Sequence, residues 1–444
     1  MRDSAVTIRG GPAPRPFARA GRHLPALCAL LAALSFAPAA IAQQEPAQQE
    51  SAQQDRGPRT RAELIEMERR EKIARLWPER QSPIAQMANG FVERGLLEGV
   101  RSGLGGGNGV QFTLGGMRSG QGAAFGVGYR RSDLFDDRFG FRATVRGTAD
   151  LAWMTDVQLY FPPLQSRRGF LDIYGRYEYS PQMDYYGEGP DSEKQDRSSY
   201  RLEDYYMWVR GGWAFWKYLR IGGQIGGYNA KTGPGKRSGV PSIEDEFDPA
   251  SVPGLFVDGN FYQTGLFVQF DWRDNPGGPR YGGNYKLEWT KFWDLEETDQ
   301  YNFWKIDGII DQYWPYANRT RVFALHIQGT YTFVREGQEV PFYLQPTLGG
   351  NDDLRGFERY RFYANNRFYV TLEHRWFSFA GLDMAVFVDA GKVANNARLL
   401  YREDMRYDGG IGFRFKFEET VIMRIDQAYG NEGYRFMWTF NNIF

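Results

Sequence analysis

The stretch Arg321-Val322-Phe323-Ala324-Leu325-His326-Ile327-Gln328-Gly329-Thr330-Tyr331-Thr332-Phe333-Val334 decides the fold. Phe323, Leu325, Ile327, Tyr331 and Phe333 share one face, and Ala324, His326, Gln328, Thr330 and Thr332 share the other. A period of two belongs to a β-strand. One apolar face and one polar face suit a strand standing between lipid and a wet lumen. The pattern returns in 382–390, where Leu382, Met384, Val386 and Val388 oppose Asp383, Phe387 and Asp389. It returns again in 434–444, where Tyr434, Phe436, Trp438, Phe440 and Phe444 alternate with Arg435, Thr439 and Asn441.

Working outward from these stretches, the alternation predicts sixteen strands: 109–117, 120–130, 139–147, 151–161, 168–179, 199–213, 216–228, 258–272, 283–293, 301–313, 319–334, 363–376, 382–391, 407–417, 420–429 and 433–444. The expected class is an all-β membrane protein, a 16-stranded antiparallel transmembrane β-barrel with a short N-terminal helical or disordered segment. Connection lengths give an independent check, because outer-membrane barrels have short periplasmic turns and long external loops. With a periplasmic N-terminus, loops after odd strands face outward. The longest connections (180–198, 230–257 and 335–362) all follow odd strands, and the short turns 214–215, 377–381 and 418–419 follow even ones.

Composition agrees. Aromatic residues make up 16% of the 444, which suits girdles at both membrane interfaces. A mean hydropathy of −0.55 excludes a helical membrane protein but not a barrel with a polar lumen. Formal net charge is zero, so no nucleic-acid partner is expected. Cys28 is the only cysteine, and beyond His23 only His326 and His374 remain. No metal, cofactor or enzymatic activity is expected. Strand parity sets His374 on the lipid side near the periplasm, and His326 has no companion Ser motif.

Residues 1–42 read as a signal peptide. Arg2, Arg9, Arg15, Arg19 and Arg22 precede an apolar run from Leu24 to Ala40, and Ala40-Ile41-Ala42 offers a cleavage site before Gln43. Residues 43–108 read as a disordered and helical periplasmic segment, and 109–444 as the barrel. Within the segment, 43–58 is Gln/Glu/Ala/Pro-rich, and Thr60 with Glu63 forms a capping-box pattern.

Residues 348–357 read Leu-Gly-Gly-Asn-Asp-Asp-Leu-Arg-Gly-Phe. Leu354-Arg355-Gly356-Phe357 resembles the [VIL]-R-G-[FY] motif of the bacterial surface antigen family, the BamA/TamA-type barrels. In that family the motif lies on the sixth external loop, which folds into the lumen. Further matches follow in family order. Asp271, Arg273, Asp274, Pro279 and Gly282 resemble the D-x-R-D-x-x-x-x-P-x-x-G turn before strand nine. Phe387, Asp389 and Gly391 resemble F-x-D-x-G. Gly410, Gly412, Phe413 and Arg414 resemble G-x-G-[LF]-R, and Met423 to Asp426 with Ala428 to Gly430 resembles strand fifteen. Phe436, Trp438, Phe440 and the terminal Phe444 form a C-terminal barrel signal.

The resemblance implies that carboxylates on strands twelve and thirteen hold the loop arginine, here Glu373 and Asp389 for Arg355. Parity independently turns both acids inward. Gly356 is expected to let the loop tip turn tightly. Two departures stand out. Residues 43–108 do not fit the βααββ POTRA module of typical relatives, and Gly433 is the only glycine in the last strand, at its start. The resemblance implies an outer-membrane protein of a Gram-negative bacterium, in contact with lipid and lipopolysaccharide. It implies insertion or export of client proteins through a lateral seam, with accessory periplasmic factors as further partners. The alternative is a passive porin-like diffusion channel.

Overall fold

The computed structural model describes residues 108–440, apart from 116, 119–120, 122, 136–137, 163–167, 297–299, 380 and 418. The expected leader, nearly all of the 43–108 segment and Phe444 lie outside the described residues.

Sixteen antiparallel strands form one sheet in strict sequence order. They are β1 (Gly109–Leu114), β2 (Ala124–Leu134), β3 (Phe139–Thr148), β4 (Trp153–Phe161), β5 (Gly169–Tyr185), β6 (Ser198–Ala214), β7 (Leu219–Pro234) and β8 (Gly259–Asp271). The second half is β9 (Gly282–Asp294), β10 (Phe303–Tyr316), β11 (Arg321–Val334), β12 (Asn366–Phe379), β13 (Leu382–Ala394), β14 (Arg406–Phe417), β15 (Thr420–Gly430) and β16 (Gly433–Phe440). The sheet curls into a nearly closed barrel. Phe440 on β16 meets Phe125 on β2 with ring centroids 5.5 Å apart. Among the described residues, however, no backbone ladder joins β1 to β16.

Burial follows the barrel's inverted logic. Val127, Val145, Leu266, Leu372 and Val388 are exposed on the outer wall, whereas Asp156, Asp204, Glu373, Asp389 and Asp426 are buried inside. A lipid-facing wall and a lumen full of charge produce this pattern. At the periplasmic rim Tyr316, Phe323, His374 and Trp376 form an aromatic group, with His374 Nε2 2.6 Å from the Tyr316 hydroxyl. No helix among the described residues is long and apolar enough to cross a membrane.

Several strand boundaries differ from the sequence reading, among them β7, expected over 216–228 and found over Leu219–Pro234; two of the differences have a clear physical cause. The first connection was expected at 118–119, yet β1 stops at Leu114 and β2 starts at Ala124. The intervening chain turns into the lumen, where Arg118 reaches Asp204 at 2.8 Å and its backbone N–H donates to Glu178. Paired acids inside the wall outweigh the Gly-rich strand pattern. The second difference is in β5, expected to end at residue 179. It continues to Tyr185 past an irregularity between Ser180 and Met183, where the register shifts. A bulge re-aims a strand without ending its pairing. β5, β6 and β7 thus reach 17, 17 and 16 residues, well beyond the roughly 9–11 that a bilayer needs. Their outer ends carry an aromatic cap in which Tyr185 and Tyr200 pack edge-on against Phe342 of the loop after β11.

Candidate functional site

The loop between β11 and β12 enters the lumen as a hairpin. Thr347–Leu348 pairs with Phe362–Tyr363. Gly349 and Gly350 then take φ of 109° and 136°, a left-handed bend that strongly favours glycine. Asp353 closes the tip by accepting the Gly349 and Leu354 N–H groups on one oxygen, at 2.9 and 2.6 Å. Leu354 and Phe357 are fully buried beside Leu348, Phe362, Tyr369 and Val393. This apolar packing drives the tip into the wall and leaves Arg355 aimed along the lumen.

Arg355 is completely buried. Its Nε and Nη2 donate to the two oxygens of Asp389 at 2.7 and 2.8 Å, a bidentate fork. Thr371 donates to the same carboxylate at 2.8 Å and fixes its rotamer. The guanidinium lies 3.2 Å from the centroid of the Phe387 ring. Phe387 in turn needs Gly410 behind it, since a Cβ there would stand 2.6 Å from the ring. Gly391 makes room for Leu348, whose Cδ2 would be 3.0 Å from an added Cβ. In the F-x-D-x-G motif, therefore, the Phe supplies the platform, the Asp supplies the anion and the Gly supplies the clearance.

Glu373 meets Arg355 only as a longer ion pair, not through a hydrogen bond. Its nearest approach to Arg355 is 3.8 Å, and its hydrogen bonds go to Arg375 at 2.8 Å and to Arg414. Arg414 also binds Asp426 at 2.6 Å, and Asp426 stands 3.8 Å from Arg355. Gly412 leaves the space for this pair, for its Cβ would collide with both side chains. Several guanidiniums thus share the inward acids, and Glu373 is satisfied by cations nearer to it. Gly356 departs from its expected role. Its φ is not in the left-handed region; its role is clearance, because a Cβ would fall 2.6 Å from the Asp408 Cβ and 2.9 Å from the Gly430 nitrogen. Two further arginines hold the loop backbone. Arg424 donates to the Asn351 carbonyl at 2.6 Å, and Arg435 donates to the carbonyls of Arg355 and Phe357. Sequence reasoning named Arg424 and Arg435 but gave them no role; inward parity was the available signal.

Burial pushes the Asp353 carboxyl up to about 6, against the opposing pull of Arg367. Both backbone bonds fall on Oδ1, and Oδ2 faces Arg367 Nη1 at 3.8 Å, so a proton on Oδ2 would leave the two tip bonds in place.

The second motif lies at the periplasmic mouth. Asp271 forks onto Arg273 at 2.9 Å twice, and Asp274 caps the turn by accepting the Arg280 and Tyr281 N–H groups. Gly282, at φ of 102°, restarts β9. The turn between β8 and β9 then reaches far from its own strands. Arg280 donates from Nη1 to the Arg319 carbonyl and from Nη2 to both oxygens of Asp383 of β13, at 2.9 and 2.7 Å. Asn275 donates to the Glu419 carbonyl, and Val421 N–H donates to the Gly277 carbonyl. A strap anchored at β8 and β9 is therefore tied to the β14–β15 turn.

His326 bonds Asp311 at 2.6 Å and the Tyr369 hydroxyl at 2.9 Å, linking β10, β11 and β12 across the lumenal wall. No group of three or more His, Cys, Asp or Glu able to hold a metal occurs among the described residues.

A sixteen-strand antiparallel barrel with an arginine-bearing loop pinned inside defines, by class, a transmembrane β-barrel. Residues 263–441 match the Omp85 superfamily domain, a stretch of less than half the chain that holds both motifs. BamA from Haemophilus ducreyi lacking POTRA domains 1–3 superposes with a TM-score of 0.55 at 15% identity, over 74% of this chain and 69% of that one. CdiB from Acinetobacter baumannii gives a TM-score of 0.49 at 12% identity, over 75% of this chain and 59% of that one. CdiB from Escherichia coli gives 0.47 at 11%, over 74% and 62%. No curated protein matches by sequence. Residues 263–441 thus carry an Omp85 superfamily domain, and the sheet as a whole has the fold of a BamA-type barrel. Barrels of this family indicate the Gram-negative outer membrane.

Proposed function

We propose that this barrel inserts or exports client proteins at the outer membrane through the seam between β1 and β16, with the lumenal loop holding the wall in its working shape. No bond-making chemistry is needed. The observation that carries the reading is the missing backbone ladder between β1 and β16 among the described residues. β1 and β16 are the short first and last strands of the sheet, six and eight residues long, and neither has a second neighbouring strand among the described residues. Such an edge can template a client strand by β-augmentation. Clients and periplasmic factors are the partners, and lipid with lipopolysaccharide surrounds the outer wall. A passive diffusion channel fits less well. The loop and its arginine anchors occupy the lumen, and the strap spans part of the periplasmic mouth.

The test is depletion of the protein followed by quantitative proteomics of the outer membrane. Selective loss of a set of outer-membrane or surface proteins is expected. An unchanged outer-membrane proteome with altered solute uptake would reverse the order of the two readings.

A further inference from the structure

On the wall opposite the loop anchors, the periplasmic end of the lumen holds a recess of about 270 Å³. That is roughly nine water volumes. Arg130 on β2, Arg142 on β3 and Arg220 on β7 line it, with Tyr160 on β4 and Asp172 on β5. Strand parity explains why they converge. Tyr129, Val145, Phe161, Leu171 and Ile221 are exposed on the outer wall, so Arg130, Arg142, Tyr160, Asp172 and Arg220 all point inward.

The charge is unbalanced. The inward arginines of the loop network are each matched to a nearby carboxylate or carbonyl. Among the described residues, Arg130 and Arg220 have no carboxylate within ion-pair distance, and Arg142 reaches only Asp156 at 3.8 Å. Asp172 is the one acid among the described residues that line the recess. Arg220 rests 6.0 Å from the Phe170 ring, which orients it without neutralising it. The Tyr160 hydroxyl is buried and lacks a hydrogen-bond partner among the described residues. Its ring lies across Gly140, where a Cβ would collide with it, so the glycine sets where the hydroxyl sits. A buried donor without a partner costs free energy until something accepts from it. Guanidiniums in a fork geometry with a hydroxyl donor form the chemistry that receives an oxyanion.

We propose that this recess is a periplasm-facing binding site for an oxyanion, phosphate or carboxylate, held by Arg130, Arg142 and Arg220 with Tyr160 donating. It lies on the inner wall at the periplasmic end, so the anion arrives from the periplasm and not from a lipid headgroup. It is either a free ion or an acidic side chain on a polypeptide. The site stands independently of the seam.

The test uses the full-length protein in a non-ionic detergent, titrated in one arm with inorganic phosphate and in the other with an acetylated tetraglutamate peptide. Saturable binding that weakens with added salt is expected. The double variant Arg130→Gln/Arg220→Gln should weaken it at least tenfold, and Tyr160→Phe should weaken it several-fold. Saturation by phosphate alone assigns a free ion, and saturation by the peptide assigns an acidic segment. Heat-modifiable migration checks that each variant is folded; if the double variant is not, Tyr160→Phe decides. No saturable binding of either probe, or equal binding by wild type and folded variants, overturns the proposal.

Discussion

At the residue scale, Arg355 is bound by a geometry that only a planar fork satisfies. Its truncation to Ala leaves Asp389 buried beside Asp408, its register partner on β14, while Glu373 and Asp426 keep Arg375, Arg414 and Arg424. Removing one partner of a buried pair costs about 3–5 kcal/mol. Full burial argues against strong screening by water, so the upper part of that range is expected. The effect should fall on loop docking while the barrel stays folded, read as faster protease cleavage of 335–362 in Arg355→Ala and Asp389→Asn. Arg355→Lys should recover little, because an ammonium cannot fork onto Asp389 and stack on Phe387 together. Equal cleavage rates in wild type and both variants would remove the lock. Asp353 adds a pH dependence. Its docked-loop pKa, about 6, lies above the ordinary value. The docked loop therefore holds a proton that the released loop gives up. That contribution is complete below the ordinary carboxylate pKa and is lost as pH rises through about 6. Protease protection of the loop should be greater at about pH 5 than at about pH 7.5, and Asp353→Asn should flatten the difference.

At the element scale, the strap between β8 and β9 makes its own prediction. Arg280 is its main ion-pair anchor, its Nη2 shared between the two oxygens of Asp383. Arg280→Ala should release the turn and raise single-channel conductance in planar bilayers by a few-fold, with heat-modifiable migration retained. Conductance identical to wild type would show that the strap does not obstruct the mouth. The strands themselves were readable because a two-sided wall forces alternation on every one of them. Boundaries failed where tertiary charge took over: at Arg118, drawn inward by Glu178 and Asp204, and at β5, carried on past its bulge. Asp389 was legible as an inward acid. That it alone of the two acids hydrogen-bonds Arg355 was not, since Glu373 shares the same parity and gives its hydrogen bonds to Arg375 and Arg414. Gly356 was read as a turn and works as a clearance, a distinction that only the approach of Asp408 makes.

At the scale of the whole molecule, the barrel is fastened at its outer end, in its lumen and at its periplasmic mouth, and is least fastened at one line along its wall. Aromatic packing caps the outer end, the Arg355 network fills the lumen, and the strap ties the periplasmic turns. Only the β1–β16 junction lacks a ladder among the described residues. An interior this rigid confines motion to the seam, which is the physical content of the proposed function. The direct measurement is client assembly before and after the seam is closed by a disulfide, with cysteine pairs drawn from 109–114 and 433–440. Oxidation is expected to stop assembly of the proteins lost on depletion, and a reductant to restore it. Assembly proceeding at the wild-type rate through a fully crosslinked seam would contradict it.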